Sequence, residues 1–255
     1  MSPYEHDTIV PFQDSGLSKK EQVAAMFNHI CRRYDFLNRF LSGGADLFWR
    51  KMAIRELETA HPKKILDVAT GTGDLAIMMA QKLAPEKIIG IDIARGMLDL
   101  GREKIAKLRL NPVIELQEGD SEAINFPDGS FDAVTVAFGV RNFQDLEGGL
   151  SEMQRVIKPG GKLMVLEFSK PRKGFFLPLY KVYLRYIAPR IGKIVSGSPD
   201  AYQYLNDSVN AFPEGDAFTA ILKKCGFINT YSKKLSLGIC TIYCGTKKDS
   251  AGPSS

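Results

Sequence analysis

The chain is poor in the residues that build metal sites and disulfide frameworks. It has three histidines, His6, His29 and His61, far apart in sequence, so a metal site is not expected. Its four cysteines, Cys31, Cys225, Cys240 and Cys244, show no Cys-x-x-Cys spacing, which points to reduced thiols rather than a stapled secreted fold. No uncharged apolar run reaches the ~18 residues that span a bilayer. The first twenty residues lack the apolar core of a signal peptide, so a cytoplasmic location is expected. Acidic residues are missing from one stretch only. Between Phe168 and Pro199 there are seven basic side chains and no Asp or Glu. The formal charge of +5 over 255 residues is therefore local, the remainder being slightly acidic, and a general nucleic-acid-binding surface is not implied.

What is present is strand–helix alternation. Two helices are expected first, over 19–41 and 46–59, interrupted by Ser42-Gly43-Gly44 and placed to cap the main domain. From Lys63 short apolar runs (65–68, 87–92, 113–118, 131–138, 162–168) alternate with helical patterns (74–83, 96–108, 146–157). That order predicts a parallel sheet with helices on both faces. After a helix over 216–225, the runs 228–235 and 239–246 are separated only by Ser236-Leu237-Gly238, so they form an antiparallel hairpin. The fold class is α/β: a Rossmann-like, mostly parallel seven-stranded sheet closed by a C-terminal antiparallel hairpin, as in class I methyltransferases. The expected division is a helical cap over 1–60 with a loose start, a main domain over 61–248 with a helical insertion at about 171–213, and a disordered tail over 249–255.

The loop Asp67-Val68-Ala69-Thr70-Gly71-Thr72-Gly73-Asp74 joins the first strand to its helix. Gly71 and Gly73 permit a tight turn and close approach to a ligand. Asp92 ends the second strand, where an acid meets ribose hydroxyls. Gly71-x-Gly73-x-x-Ala76 also fits a dinucleotide fingerprint. The acids decide: a pyrophosphate would face Asp67 and Asp74 with no evident cation nearby, whereas S-adenosylmethionine (SAM) carries no phosphate and is positive at its amino and sulfonium groups. Asp120 and Ser121, after the third strand, are placed to meet adenine. Singly, Asp92 and Asp120 would pass for ordinary turn residues; the ordered set is the signal.

Longer pieces are more specific. Arg33-Tyr34-Asp35-Phe36-Leu37-Asn38, Leu66 to Asp74, Phe138-Gly139-Val140-Arg141-Asn142, Leu166-Glu167-Phe168-Ser169-Lys170-Pro171 and Tyr202-x-Tyr204-Leu205-x-x-Ser208-Val209 together resemble the ubiquinone/menaquinone biosynthesis C-methyltransferases over about residues 20–247. The resemblance implies SAM-dependent methylation of a ring carbon of a polyprenylated quinol, with demethylmenaquinol the preferred acceptor by analogy in 180–213. It implies SAM contacts from Thr72, Asp92, Asp120 and Ser121. Many members carry Ser where this chain has Ala137, so that contact is not expected here.

Arg141 and Asn142 follow the fourth strand and are the expected catalytic pair, with Arg141 stabilising the developing phenolate. The competing reading has Arg141 paired to an acid and shaping the loop. Arginine cannot serve simply as a base, and no His or carboxylate stands out for that role. Tyr34, Tyr202 and Tyr204 are expected to line the acceptor pocket. The basic, aromatic segment 172–194 is expected to rest on an anionic membrane surface, and homo-oligomers are allowed for. Rival readings are a benzoquinol methyltransferase, another small-molecule methyltransferase, and a non-catalytic quinone-pathway subunit. Ala137-Phe138-Gly139-Val140 lacks the Asn/Asp-Pro-Pro-aromatic pattern of base amino-group methylation, so nucleic acid is not an expected partner.

Overall fold

A computed structural model describes residues 4–13, 15–170 and 199–249, with the side chains of Leu41, Pro199, Asp200 and Tyr202 left aside. The segment 171–198, and with it the expected lipid-facing helix, lies outside the described residues, as do 250–255. The helices are α1 (Lys19–Leu41), α2 (Ala45–Glu58), α3 (Asp74–Leu83), α4 (Arg95–Lys107), α5 (Leu146–Val156), α6 (Pro199–Ala211) and α7 (Asp216–Lys224). The strands are β1 (Lys64–Val68), β2 (Lys87–Asp92), β3 (Ile114–Glu118), β4 (Phe131–Ala137), β5 (Ile157–Phe168), β6 (Phe227–Leu235) and β7 (Cys240–Lys247).

The seven strands lie in the order β3-β2-β1-β4-β5-β7-β6. β1 to β5 pair in parallel, while β7 is antiparallel to both β5 and β6. The chain runs outward from β1 in one direction and from β4 in the other, so the switch point lies between them, where open α/β sheets bind ligands. Period-two alternation assigns each strand residue to one of two cores. Leu66, Ile89, Val134 and Val165 face α5 and α7, whose Leu150, Met153, Phe218 and Leu222 complete that layer. Ile65, Ile88, Ala133 and Met164 face α2, α3 and α4.

Of the two helices expected as a cap, α2 joins the second layer. Ala53, Ile54 and Leu57 are fully buried there beside Ile65 and Met164, each larger side chain contributing roughly 1.5–3 kcal/mol. α1 lies across the carboxyl ends of the strands and packs against α4. Its start is fixed by a capping box between Ser18 and Glu21. One strand differs from the expected bounds: β5 begins at Ile157 rather than Lys162. Ile157 pairs with Phe131 ahead of an irregularity, so Lys158-Pro159-Gly160-Gly161 is carried within the strand as an exposed bend. Gly160 there has φ +75°, and a side chain on Gly161 would lie 2.7 Å from the Asp132 carbonyl.

Candidate active site

The first crossover sets the site. β1 ends in Asp67, which is buried and accepts hydrogen bonds from Thr70 Oγ1 and Thr135 Oγ1, both at 2.6 Å. Burial pushes its carboxyl up to about 6 against those two bonds. The chain then turns through left-handed residues at Ala69, Gly71 and Gly73 into α3. Asp92, at the end of β2, accepts from the backbone N–H groups of Gly71 and Ala94 at 2.8 Å each; burial raises it too. Asp120 accepts from the Glu122 backbone at 2.9 Å and from Lys20 Nζ at 2.6 Å. Lys20 also reaches Glu122 at 2.9 Å, tying the start of α1 to the loop after β3.

These groups share one cleft. Tyr34, Gly71, Asp92, Asp120, Ser121 and Asn142 line it, with Ile93, Met97 and Phe143 as apolar walls. A smaller lobe behind the loop is lined by Tyr34, Asp67, Thr72 and Arg50 among others, and Ala137 borders both. Thus Tyr34, Asp67, Gly71, Thr72, Asp92, Asp120, Ser121 and Asn142 come together at the switch point. Gly73 caps α3 just behind. Arg141 does not line the cleft but sits beneath it, Tyr204 is packed with Val23 and Met26 under α1, and Tyr202 lies on α6 with its side chain outside the described set.

Two expectations about charge change. Asp74 is not an unpaired acid: Lys104 Nζ stands 2.6 Å away and Arg39 3.1 Å. These cations outweigh burial and hold its carboxyl below the ordinary value. Cations therefore stand near the loop at Asp74 and also at Asp67, where Arg50 shares the lobe and its field lowers the carboxyl; only Asp92 is held by backbone amides without a cation beside it. Thr72, expected to meet SAM, gives its hydroxyl to Asp35 at 2.7 Å and accepts from Lys104 at 2.8 Å. It is 3% exposed and joins α1 to the loop.

Arg141 is in the state the competing reading describes. It is 5% exposed, its Nη1 lies 2.8 Å from Glu167 Oε1 and donates to the Phe138 carbonyl at 2.5 Å. Glu167 is fully buried; desolvation raises its carboxyl while Arg141 opposes the rise. Two buried atoms here have no partner, Arg141 Nε and Asn142 Oδ1. The Tyr204 hydroxyl is likewise buried and unpartnered. Burial raises it and the field of Arg141 lowers it, which puts Tyr204 within electrostatic reach of Arg141.

Sequence reasoning missed several contributors. Lys20, Asp35 and Lys104 are polar residues on helices whose partners lie 100, 37 and 69 positions away, and single-sequence patterns do not carry that information. Glu167 was legible only as part of a motif. Gly90 and Gly101 left a faint signal, as lone glycines inside a strand and a helix. A Cβ on Gly101 would lie 3.1 Å from the Thr72 backbone, so α4 can approach the loop only there. Phe138 has φ +59°, and a Cβ on Gly139 would fall 2.7 Å from Ala69 Cβ, so the ends of β4 and β1 meet closely at the cleft floor.

The whole arrangement is matched by one family model, the ubiE/COQ5 methyltransferase family, over residues 16–247. The chain belongs to that family. Among its relatives, the demethylmenaquinone methyltransferase of Bacteroides fragilis is 43% identical over 244 residues, covering 96% of this chain and 99% of the relative. That of Thermus thermophilus is 46% identical, covering 87% and 100%. The ubiquinone/menaquinone biosynthesis C-methyltransferase UbiE of Geobacter sulfurreducens is 45% identical, covering 90% of each. Among solved structures, a SAM-dependent methyltransferase from Thermotoga maritima superposes with TM-score 0.60 at 19% identity, covering 88% of this chain and 99% of that one. The cyclase SpnF gives 0.61 at 16%, covering 91% and 97%, so this fold also carries other chemistry. Membership of the family makes the chain a SAM-dependent methyltransferase. The cleft fits that donor. Its floor presents Asp92, half-buried among amides with no cation bonded to it, beside the apolar walls that an adenosine needs.

Proposed function

We propose that the chain methylates a ring carbon of a polyprenylated quinol, converting demethylmenaquinol to menaquinol in menaquinone biosynthesis. The names of relatives at 43–46% identity over nearly the whole chain support that acceptor. The structural observation that carries the reading is the buried, unpartnered Asn142 Oδ1 at the wall of a cleft whose opposite floor is Asp92. It is an acceptor waiting for a donor, and a ring hydroxyl is one.

In this reading Gly71, Asp92, Asp120 and Ser121 hold the adenosine part of SAM, while Asp67, Thr72 and Gly73 shape the loop around its amino-acid part. Bound there, SAM supplies an electrophilic methyl group to the ring carbon. The chain's task is to orient the acceptor and favour its phenolate form, because a neutral quinol carbon is a weak nucleophile. Asn142 fixes one ring hydroxyl. Arg141 stabilises the negative charge as the proton leaves, directly or through a water, with Nε the atom left unpartnered for it. Glu167 holds Arg141 in place, and its charge must be set against the field Arg141 exerts. Tyr34 borders the acceptor from the cleft wall, while Tyr204 packs beneath α1. Lys20, which holds Asp120, closes the cleft at the start of α1. The acceptor's polyprenyl tail places the enzyme at the cytoplasmic face of the membrane. Among the described residues no helix is long and apolar enough to cross a membrane, so that association would be peripheral.

Incubation with methyl-labelled SAM and reduced naphthoquinol or benzoquinol acceptors tests the reading. Label should enter the naphthoquinol faster. Preference for the benzoquinol would move the chain to the ubiquinone branch. Labelling of neither, with SAM bound, would support a non-catalytic role.

A further inference from the structure

Most of the exposed large apolar side chains belong to one helical hairpin and a turn bonded to it. Nine such residues are exposed, and five belong to the α1–α2 hairpin and the turn fastened to it: Phe36 (58% exposed), Phe40 (46%), Leu47 (40%), Phe48 (52%) and Leu237 (69%). Phe36 and Phe40 are one helical turn apart and stacked, with centroids 5.9 Å apart and planes at 21°. Leu47 and Phe48 follow across the Ser42-Gly43-Gly44 turn in the first turn of α2. Leu237 is joined to them through Trp49, whose Nε1 donates to Ser236 Oγ at 2.8 Å. Exposed aromatics stacked in water, not against the core, are unusual on a protein that keeps other rings inside.

The turn adds a second observation. Ser236 and Leu237 have φ of +45° and +59°, both left-handed. Such a conformation is costly for a residue like leucine, and it holds the most exposed apolar side chain of the set outward.

Charge around the patch is predominantly basic, with Glu56 and Glu58 confined to the far end of α2. From Arg32 to Arg55 the sequence holds six basic residues and two acidic ones. Both acids are engaged internally: Asp35 with Lys104 and Thr72, and Asp46, buried, with Arg39 and Arg50. Arg32, Arg33, Lys51 and Arg55 are exposed beside the rings. Aromatic side chains interleaved with an excess of exposed cations complement the headgroup boundary of an anionic bilayer.

The patch lies on the outer face of the helix whose inner face reaches the site. Tyr34, on the same turn of α1 as Phe36, lines the cleft, and Asp35 between them bonds Thr72 of the glycine loop. We propose that the α1–α2 hairpin with the Ser236–Gly238 turn is the surface on which this enzyme docks to an anionic membrane, the lipid from which its acceptor comes. This rests on the polyprenylated-quinol reading, and it assigns the docking role to described residues rather than to 172–194.

Vesicle co-sedimentation tests it on the full chain, with phosphatidylglycerol/phosphatidylcholine vesicles against pure phosphatidylcholine. The wild type should bind the anionic vesicles at least tenfold more strongly than the neutral ones. A Phe36→Ser/Phe40→Ser/Phe48→Ser variant should bind both at least tenfold more weakly. An Arg32→Gln/Arg33→Gln/Lys51→Gln variant should lose the anionic preference alone. Turnover of a short-tailed, water-soluble acceptor should be unchanged in both variants, which shows that they are folded. The same assay tests the acceptor reading separately, since a wild type that binds vesicles but methylates no quinol would sink that reading and not this one. Anionic-vesicle binding as strong in the serine variant as in the wild type would overturn the proposal. So would sedimentation velocity showing a wild-type dimer that the serine variant dissolves, because the patch would then be an interface between copies.

Discussion

Glu167 and Arg141 form the most consequential buried pair, and removing either partner should give opposite pH signatures. Glu167 is fully buried and accepts from Arg141 Nη1 at 2.8 Å and from the Phe168 backbone at 2.8 Å. Breaking such a pair by removing one charge costs about 3–5 kcal/mol. In Glu167→Gln the variant site no longer titrates, whereas the wild type, whose Glu167 carboxyl is raised by burial, loses stability as pH rises through the folded value; the loss should therefore shrink toward pH 8 from about 3 kcal/mol at pH 5. In a chain of this size that lowers Tm by roughly 6–12 °C. In Arg141→Met the carboxylate is left behind, and it can neutralise itself. Burial already raises Glu167 with Arg141 beside it, and without that cation it rises further. A folded-state pKa above the unfolded one means stability that is present at low pH and lost as pH rises through the folded value. The Arg141→Met penalty should therefore be small at pH 5 and grow toward pH 8. Urea denaturation at pH 5, 6.5 and 8 measures both, and an Arg141→Met/Glu167→Gln double variant should recover at least 2 kcal/mol over the sum of the singles. A Glu167→Gln variant within about 1 kcal/mol of the wild type at pH 5, or an Arg141→Met penalty that does not change with pH, would refute the reasoning.

Other consequences follow from the same geometry. Lys104 joins Asp35, Thr72 and Asp74 at 2.6–2.8 Å, so Lys104→Met should raise the KM for SAM about tenfold, roughly 1.4 kcal/mol, with kcat nearly unchanged, and Lys104→Arg should restore it; a loss confined to kcat would contradict a positioning role. Lys19 is 5% exposed, and burial lowers its amine to about 8. A depressed lysine makes stability rise with pH between the folded and unfolded values. Wild type minus Lys19→Met should therefore gain up to about 3 kcal/mol between pH 8 and 10.5, and a flat difference curve would contradict this. Gly101→Ala should cost about 1–3 kcal/mol and weaken SAM binding, because its Cβ would press on the Thr72 backbone at 3.1 Å and on Leu116 at 2.6 Å; unchanged SAM affinity by calorimetry would argue against close packing there.

The sheet was legible because its signals are local. Short apolar runs such as Ile65–Val68 and Ile88–Ile91 are buried on both faces, and the glycines of the 67–74 loop announce the crossover. The C-terminal hairpin was legible from the three residues between its strands. The charge state of the site was not. Asp74 reads as an unpaired acid until α4 brings Lys104 to it across 30 positions, and the partner of the Thr72 hydroxyl, Asp35, comes from α1 across 37. Arg141 shows the same limit. The sequence places it at a strand end beside the expected methyl position, and only the adjacent strand β5 supplies Glu167 as its counter-charge. The start of β5 was misjudged because Pro159-Gly160-Gly161 signals a turn, while pairing of Ile157 with Phe131 holds the segment in the sheet.

The location of the transferred methyl group tests the account most directly. Reduced demethylmenaquinol and carbon-13 methyl-labelled SAM are incubated with the enzyme, and the product is read by NMR. The account requires the label on a ring carbon, with Arg141→Met and Asn142→Ala binding SAM normally but losing most of the turnover. A label on oxygen, or full turnover in both variants, would contradict it.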